Sequence, residues 1–108
     1  MRRHALDGDV ILETRHAVGR HVATVGDREY VHLVIKPGGG IDAHVLPHPI
    51  EFFVVAGEGE ARVDGERIEV GAGDLLIVPA GVERAWTNTD EVRLVLLGVK
   101  TVPTLAAH

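Results

Sequence analysis

The sequence contains no cysteine and has no stretch suited to a long helix. Without cysteine, disulfide bonds, thiolate catalysis and Cys-based zinc or iron–sulfur sites are excluded. Gly or Pro interrupts almost every window of a dozen residues, so no long amphipathic helix fits. The chain also lacks an apolar run long enough to span a membrane or to form the core of a signal peptide. We therefore expect a soluble, cytoplasmic protein built mainly from strands.

Concentrated charge of one sign is also missing. The formal net charge is −5, and no block of like charge occurs along the 108 residues. Non-specific binding to nucleic acid or to an anionic membrane depends on clustered Lys and Arg, so neither is expected as a partner. A chain of this length has room for one hydrophobic core, and we expect residues 1–108 to form a single domain.

Short runs rich in Val, Ile and Leu are abundant, and 13 glycines punctuate them. Such runs between turn residues predict strands. The predicted strands are 10–12, 21–25, 30–35, 50–55, 59–63, 67–70, 74–78, 85–88 and 92–99. Asp64-Gly65 predicts a type I′ hairpin turn, because these residues readily adopt positive φ angles. The regular short spacing predicts an all-β, antiparallel sandwich or barrel.

Two segments resemble the motifs of the cupin family, whose members are small double-stranded β-helix (jelly-roll) barrels. The first segment contains Pro37-Gly38, His44 and the run 50–59, and the second contains Gly73-Asp74, Pro79, Gly81 and Asn88. The resemblance covers roughly residues 30–100 and leaves 101–108 as a tail. It implies an antiparallel jelly-roll barrel with a cavity inside.

The second segment departs from the metal-binding members of the family. Cupins that bind a divalent metal resemble one another in using two His and one acidic residue from the first motif and one His from the second. In this chain the four positions hold His44, Leu46, Ile50 and Arg84. Aliphatic and guanidinium groups cannot coordinate a metal ion. The resemblance therefore implies a cupin scaffold without the standard metal site, and no cofactor is favoured.

Strand alternation places Arg84, Trp86 and Asn88 on one face. If that face lines the cavity, Arg84 offers a fork for a carboxylate or phosphate, and Trp86 covers an apolar part of the ligand. The predicted ligand-binding residues are His44, Leu46, Phe52, Arg84 and Trp86. The alternative is a surface arginine that pairs with Glu83 or Glu51.

Two enzymatic alternatives remain open. If 46–49 bulges, His44, His48 and Glu51 form a two-His-one-carboxylate set for Fe, Mn, Zn or Ni, which suits a metal-dependent isomerase, lyase or dioxygenase. Without metal, His44 is the best catalytic candidate, as a proton carrier beside an enolate-like anion stabilised by Arg84. The sequence thus leaves open whether the protein is an enzyme.

Apolar residues occupy both faces of the run 50–55. One of these faces must pack outside the domain, and the family resemblance implies pairing of two copies. We therefore expect a homodimer.

Overall fold

The computed structural model of the protein describes residues 1–103. Within this range a 3₁₀ turn, Ala5–Asp7, is followed by ten strands. They are β1 (Asp9–Glu13), β2 (Ala17–Val25), β3 (Arg28–Ile35), β4 (Gly40–Val45), β5 (Ile50–Ala56), β6 (Glu58–Val63), β7 (Glu66–Gly71), β8 (Leu75–Val78), β9 (Glu83–Thr87) and β10 (Leu94–Thr101). Of the predicted tail, Thr101 belongs to β10, and residues 104–108 lie outside the described range. No helix between residues 1 and 103 is long and apolar enough to cross a membrane.

The strands form two sheets in which every pairing is antiparallel. One sheet has six strands in the order β1-β2-β3-β10-β5-β8, and the other has four in the order β4-β9-β6-β7. β10 lies between β3 and β5, so the last described strand joins the two halves of the larger sheet. The prediction of an all-β, antiparallel protein is confirmed, and the two facing sheets are consistent with a jelly roll.

The hydrophobic core fills the space between the two sheets. In β5, Ile50, Phe52 and Val54 are buried while Phe53 and Val55 are exposed. This period of two is what a sheet with one buried face requires. The other core residues are Ala17, Val31, Leu33, Ile35, Ala61, Val70, Leu76, Val78, Trp86, Leu94 and Leu96. Side chains from both sheets therefore define a single interior.

The predicted hairpin between β6 and β7 is present. Asp64 and Gly65 have φ angles of 51° and 80°, the positive values that a type I′ turn needs. The turn sets the register of the two strands, in which Val63 lies opposite Glu66.

β4 does not correspond to any strand predicted from the sequence. It is an edge strand that pairs only with β9, and four of its six residues are exposed. The register also shifts between Ile41 and His44. A strand with little burial and a broken register carries no apolar alternation, so the pattern used to find the other strands is absent here.

Candidate functional site

Arg84 and Trp86 point into the interior from β9. Arg84, Trp86 and Asn88 are each 2% exposed, whereas Glu83 and Thr87 are exposed. The prediction that these three side chains share one face is therefore confirmed. The face they share is the buried one.

The Arg84 guanidinium has no anionic partner in the described structure. Its Nε and Nη1 atoms are buried without a hydrogen-bond partner. The ion pairs formed by residues 1–103 involve other arginines and Lys100, and neither Glu83 nor Glu51 pairs with Arg84. Burial lowers the pKa of Arg84 from its usual value. The alternative of a paired surface arginine is wrong, because the side chain is buried and unpaired.

A cavity of about 440 Å³ lies in front of Arg84, between the two sheets. It is lined by Ile11, Leu12, His21, Glu29, Val31, Leu33, Ile41, His44, Leu46, Ile50, Phe52, Arg84, Trp86 and Lys100. The set includes all five side chains that the sequence analysis assigned to a ligand site. Seven strands from both sheets therefore contribute to this one space, together with Leu46, the first residue after β4.

Two aromatic rings form a rigid part of the cavity wall. Phe52 and Trp86 meet edge to face, with ring centroids 5.1 Å apart and an interplanar angle of 75°. Phe52 comes from the six-stranded sheet and Trp86 from the four-stranded sheet. This geometry is a favourable one for two aromatic rings, so the pair fixes the wall beside Arg84.

His44 lies opposite Arg84 in the register of β4 and β9. Directly opposed residues of an antiparallel pair have Cβ atoms roughly 5 Å apart. The Nδ1 atom of His44 lies 3.0 Å from the backbone oxygen of Asp42. A carbonyl oxygen only accepts, so Nδ1 donates to it and Nε2 of the neutral ring keeps its lone pair. His44 itself is exposed, and it therefore stands at the entrance of the cavity rather than at its base.

Three further polar side chains that line the cavity were not identified from the sequence. The Nζ of Lys100 lies 3.4 Å from a carboxylate oxygen of Glu29, which faces it from the adjacent strand β3. The Nε2 of His21 lies 2.7 Å from Oγ1 of Thr24. Each of these residues continues the buried alternation of its strand beyond the last apolar core position. That continuation is the signal by which they could have been found.

The set His44, His48 and Glu51 is not gathered at the cavity. Glu51 follows Ile50 and precedes Phe52 on β5, and both of these neighbours line the cavity, so Glu51 lies on the opposite face of the sheet. Among residues 1–103, no three His, Asp or Glu side chains are grouped in a way that could hold a metal ion. Three of the four family metal positions hold Leu46, Ile50 and Arg84, so the residues present do not fit a divalent cation there.

Comparison with known proteins shows the family. The profile of the Cupin domain family matches residues 31–100, which is well over half of the chain. The chain belongs to the cupin family. The resemblance noted in the sequence is thereby confirmed, and the matched range begins and ends within one residue of the range expected from the motifs.

The cupin relatives include proteins of different activities. Over 78 residues the chain is 30% identical to a mannose-1-phosphate guanylyltransferase of Escherichia coli strain K12, an alignment that covers 70% of this cupin but 16% of that enzyme. The crystal structure of a predicted oxalate decarboxylase from Thermotoga maritima matches with a TM-score of 0.82 at 16% identity, covering 94% of this chain and 99% of that one. An RmlC-like cupin from Shewanella frigidimarina matches with a TM-score of 0.80 at 17% identity, over 98% of each chain. At such identities the structural likeness shows the shared fold alone.

Proposed function

We propose that this cupin binds a small anionic molecule in the cavity between its sheets, with Arg84 as the anchor. The observation that carries the proposal is the buried guanidinium whose Nε and Nη1 atoms have no partner. Buried charges in proteins are normally paired, because an isolated one costs several kcal/mol. An anion bound in the cavity beside this guanidinium offsets a positive charge that no acidic residue of the described chain offsets.

The rest of the cavity supports the same function. A volume of about 440 Å³ lies within the usual range for small-molecule sites, roughly 300–1,000 Å³. The Phe52–Trp86 pair gives one rigid apolar wall. His44 stands at the entrance with Nε2 available to accept a hydrogen bond from a ligand. A few polar groups around an apolar space are the usual composition of a ligand pocket.

The proposal is tested by thermal-shift and calorimetric titration with a panel of small carboxylates, inorganic phosphate and sulfate. We expect at least one anion to raise the melting temperature of the wild-type protein. The matched variants are Arg84→Met, which removes the charge at similar length, and Arg62→Met, which removes an arginine whose side chain is 59% exposed. Loss of charge-assisted hydrogen bonds worth about 1.5–3 kcal/mol should weaken binding roughly ten- to hundred-fold in Arg84→Met, and Arg62→Met should bind like the wild type. Equal affinity of Arg84→Met and wild type for every anion would overturn the proposal.

A second measurement separates this function from a metal-dependent enzyme that uses His44, His48 and Glu51. Metal content is determined on protein purified without added metal and then dialysed, for the wild type and for His44→Ala and His48→Ala. The anion-binding proposal expects the same metal content in all three, since Arg84 repels a cation at this position. Stoichiometric metal that survives dialysis in the wild type and is lost in both variants would favour the enzyme instead.

A further inference from the structure

The lining of the cavity is poor in groups that bind sugars. Apart from Arg84 and four polar side chains (His21, Glu29, His44 and Lys100), every lining residue carries a hydrocarbon or aromatic side chain. In the described part of the chain, the lining includes no Ser, Thr, Tyr, Asn or Gln. A hydroxyl group that leaves water without gaining a new hydrogen bond is strongly disfavoured. A polyol or sugar phosphate would therefore leave most of its hydroxyl groups unpaired against these walls.

The charge available to a ligand matches a monoanion. Lys100 already faces the Glu29 carboxylate at 3.4 Å, so those two charges balance each other. Arg84 is then the cation in the described lining whose charge is not offset by a neighbour. Its planar guanidinium presents parallel N–H groups that fit the two oxygens of a carboxylate. Phosphate sites generally add backbone N–H groups from a glycine-rich loop or a helix N-terminus, whereas strand side chains build this cavity.

We infer that the ligand is a small monocarboxylic acid with an apolar body, a single ring or a branched chain, whose carboxylate binds Arg84 and whose body packs against Phe52 and Trp86. This inference rests on the proposed function and narrows its ligand class from anions in general to apolar carboxylates. It excludes sugar phosphates and inorganic phosphate as the preferred ligands.

Trp86 provides a readout located in the cavity itself. It is the one tryptophan of the sequence, and it lines the cavity next to Arg84. Intrinsic tryptophan fluorescence therefore reports on this space and on no other part of the chain. A ring placed against Trp86 is expected to change the intensity or the emission maximum, and binding at the protein surface is not.

The experiment titrates the purified 108-residue chain with phenylacetate, benzoate and 4-methylpentanoate, and follows Trp86 fluorescence and calorimetric heat. Phenylacetamide is the matched neutral control for the charge, acetate is the control for the apolar body, and glucose 6-phosphate and inorganic phosphate represent the excluded classes. We expect at least one of the three apolar carboxylates to bind at least tenfold more tightly than phenylacetamide, acetate or either phosphate. We expect Arg84→Met to lose this preference and Arg62→Met to keep it. Arg84→Lys keeps the positive charge but lacks the parallel N–H groups of the guanidinium, and it replaces Arg84→Met in the titrations if Arg84→Met fails to fold.

The outcomes distinguish the inference from the function on which it rests. Arg84-dependent binding of glucose 6-phosphate or phosphate, with no tighter binding of the apolar carboxylates, overturns the inference and leaves the anion site standing. Binding of phenylacetamide as tight as that of phenylacetate also overturns the inference, because the carboxylate would then contribute nothing. If no anion shows a dependence on Arg84, the anion site and the inference both fall.

Discussion

In the proposed anion site, Arg84 is the residue at which ligand binding and stability oppose each other. Its guanidinium is buried and unpaired in the described structure. Replacing a buried ion pair by apolar residues of similar volume is often neutral or stabilising by about 1–4 kcal/mol, and an unpaired buried charge has no attraction to a partner to lose. We expect Arg84→Met to raise the free energy of unfolding of the ligand-free protein by about this amount, as measured by urea denaturation. The exposed control Arg62→Met should stay within about 0.5 kcal/mol of the wild type. A less stable Arg84→Met would contradict this expectation and show that the guanidinium stabilises the fold.

His32 gives the protein a dependence of stability on pH. It lies on β3 opposite Arg20 and Leu97, on the side of the sheet away from the core residues Val31 and Leu33. Its pKa is lowered by burial, and further by the positive charges of Arg20, His4 and Arg93. An unfolded chain takes up a proton on this imidazole near pH 6.5, whereas the folded chain does so only at lower pH. Below about pH 6.5 the unfolded state therefore binds more protons, and stability falls as the pH falls.

The substitution His32→Gln tests this linkage. Denaturation curves at pH 8, 7, 6 and 5 should show a shallower loss of unfolding free energy in the variant than in the wild type. The difference between the two proteins should be small and constant above pH 7, where both states hold neutral His32. Identical pH profiles of the two proteins would rule out His32 as a source of the acid sensitivity.

At the scale of elements, the connection from β9 to β10 depends on one buried amide. Nδ2 of Asn88 donates to the backbone oxygens of Ile35 at 2.9 Å and Val92 at 2.8 Å, and its Oδ1 accepts from Asp90 N at 2.9 Å. These bonds tie the end of β3 to the loop before β10. Asn88→Ala removes one buried and two part-buried hydrogen bonds to the backbone, and we expect it to lower the unfolding free energy by about 3 kcal/mol. Thr89→Ala, at the exposed neighbouring position, should change it by less than about 0.5 kcal/mol. Similar losses in the two variants would contradict a special role for Asn88.

The strands also show which parts of the structure can be predicted from the sequence. The alternation along β9 predicted the shared face of Arg84 and Trp86, because a strand with one buried face repeats every two residues. β4 was not predicted, because an edge strand with mostly exposed residues lacks the alternation of apolar and polar residues. Lys100 and Glu29 each lie one residue beyond a predicted strand end, and their contact depends on the pairing of β3 with β10, which lie far apart in the chain. Local pattern thus identifies faces, and long-range pairing decides which faces share a cavity.

At the scale of the whole molecule, the charged side chains that line the cavity have a net positive charge, whereas the whole chain has a net negative charge. The chain carries a net charge of −5, yet the cavity lining holds Arg84 and Lys100 against the single carboxylate of Glu29. A cation held between low-dielectric walls attracts anions more strongly than the same group on the surface. The negative exterior disfavours non-specific binding of anions elsewhere. The proposed anion binding therefore depends on the cavity, and surface substitutions such as Arg62→Met are suitable controls for it.

The outer side of the six-stranded sheet carries an apolar patch that a second copy of the chain could cover. This outer patch consists of Phe53, Val55, Leu75 and Ile77, which are 44%, 50%, 59% and 65% exposed. Phe53 lies directly opposite Leu75, and β8 is an edge strand with one side unpaired. Exposed apolar residues grouped in this way generally mark an interface, and a free edge strand can pair across a two-fold axis.

Homodimer formation through the outer patch is testable by light scattering coupled to size-exclusion chromatography. We expect the wild type to elute with twice the 11.6 kDa mass of one chain. Leu75→Lys and Ile77→Lys should yield the single-chain mass with an unchanged circular dichroism spectrum, because a lysine in the patch leaves its charge without water in the dimer. Val25→Lys, at an apolar position of β2 that is 62% exposed, should remain dimeric. If the wild type has the single-chain mass at tens of micromolar, the chain forms no dimer. If both patch variants remain dimeric, the dimer interface lies outside the outer patch. If the wild type has the single-chain mass, the outer patch is exposed in solution, and the proposed anion site must then bind its ligand within a single chain.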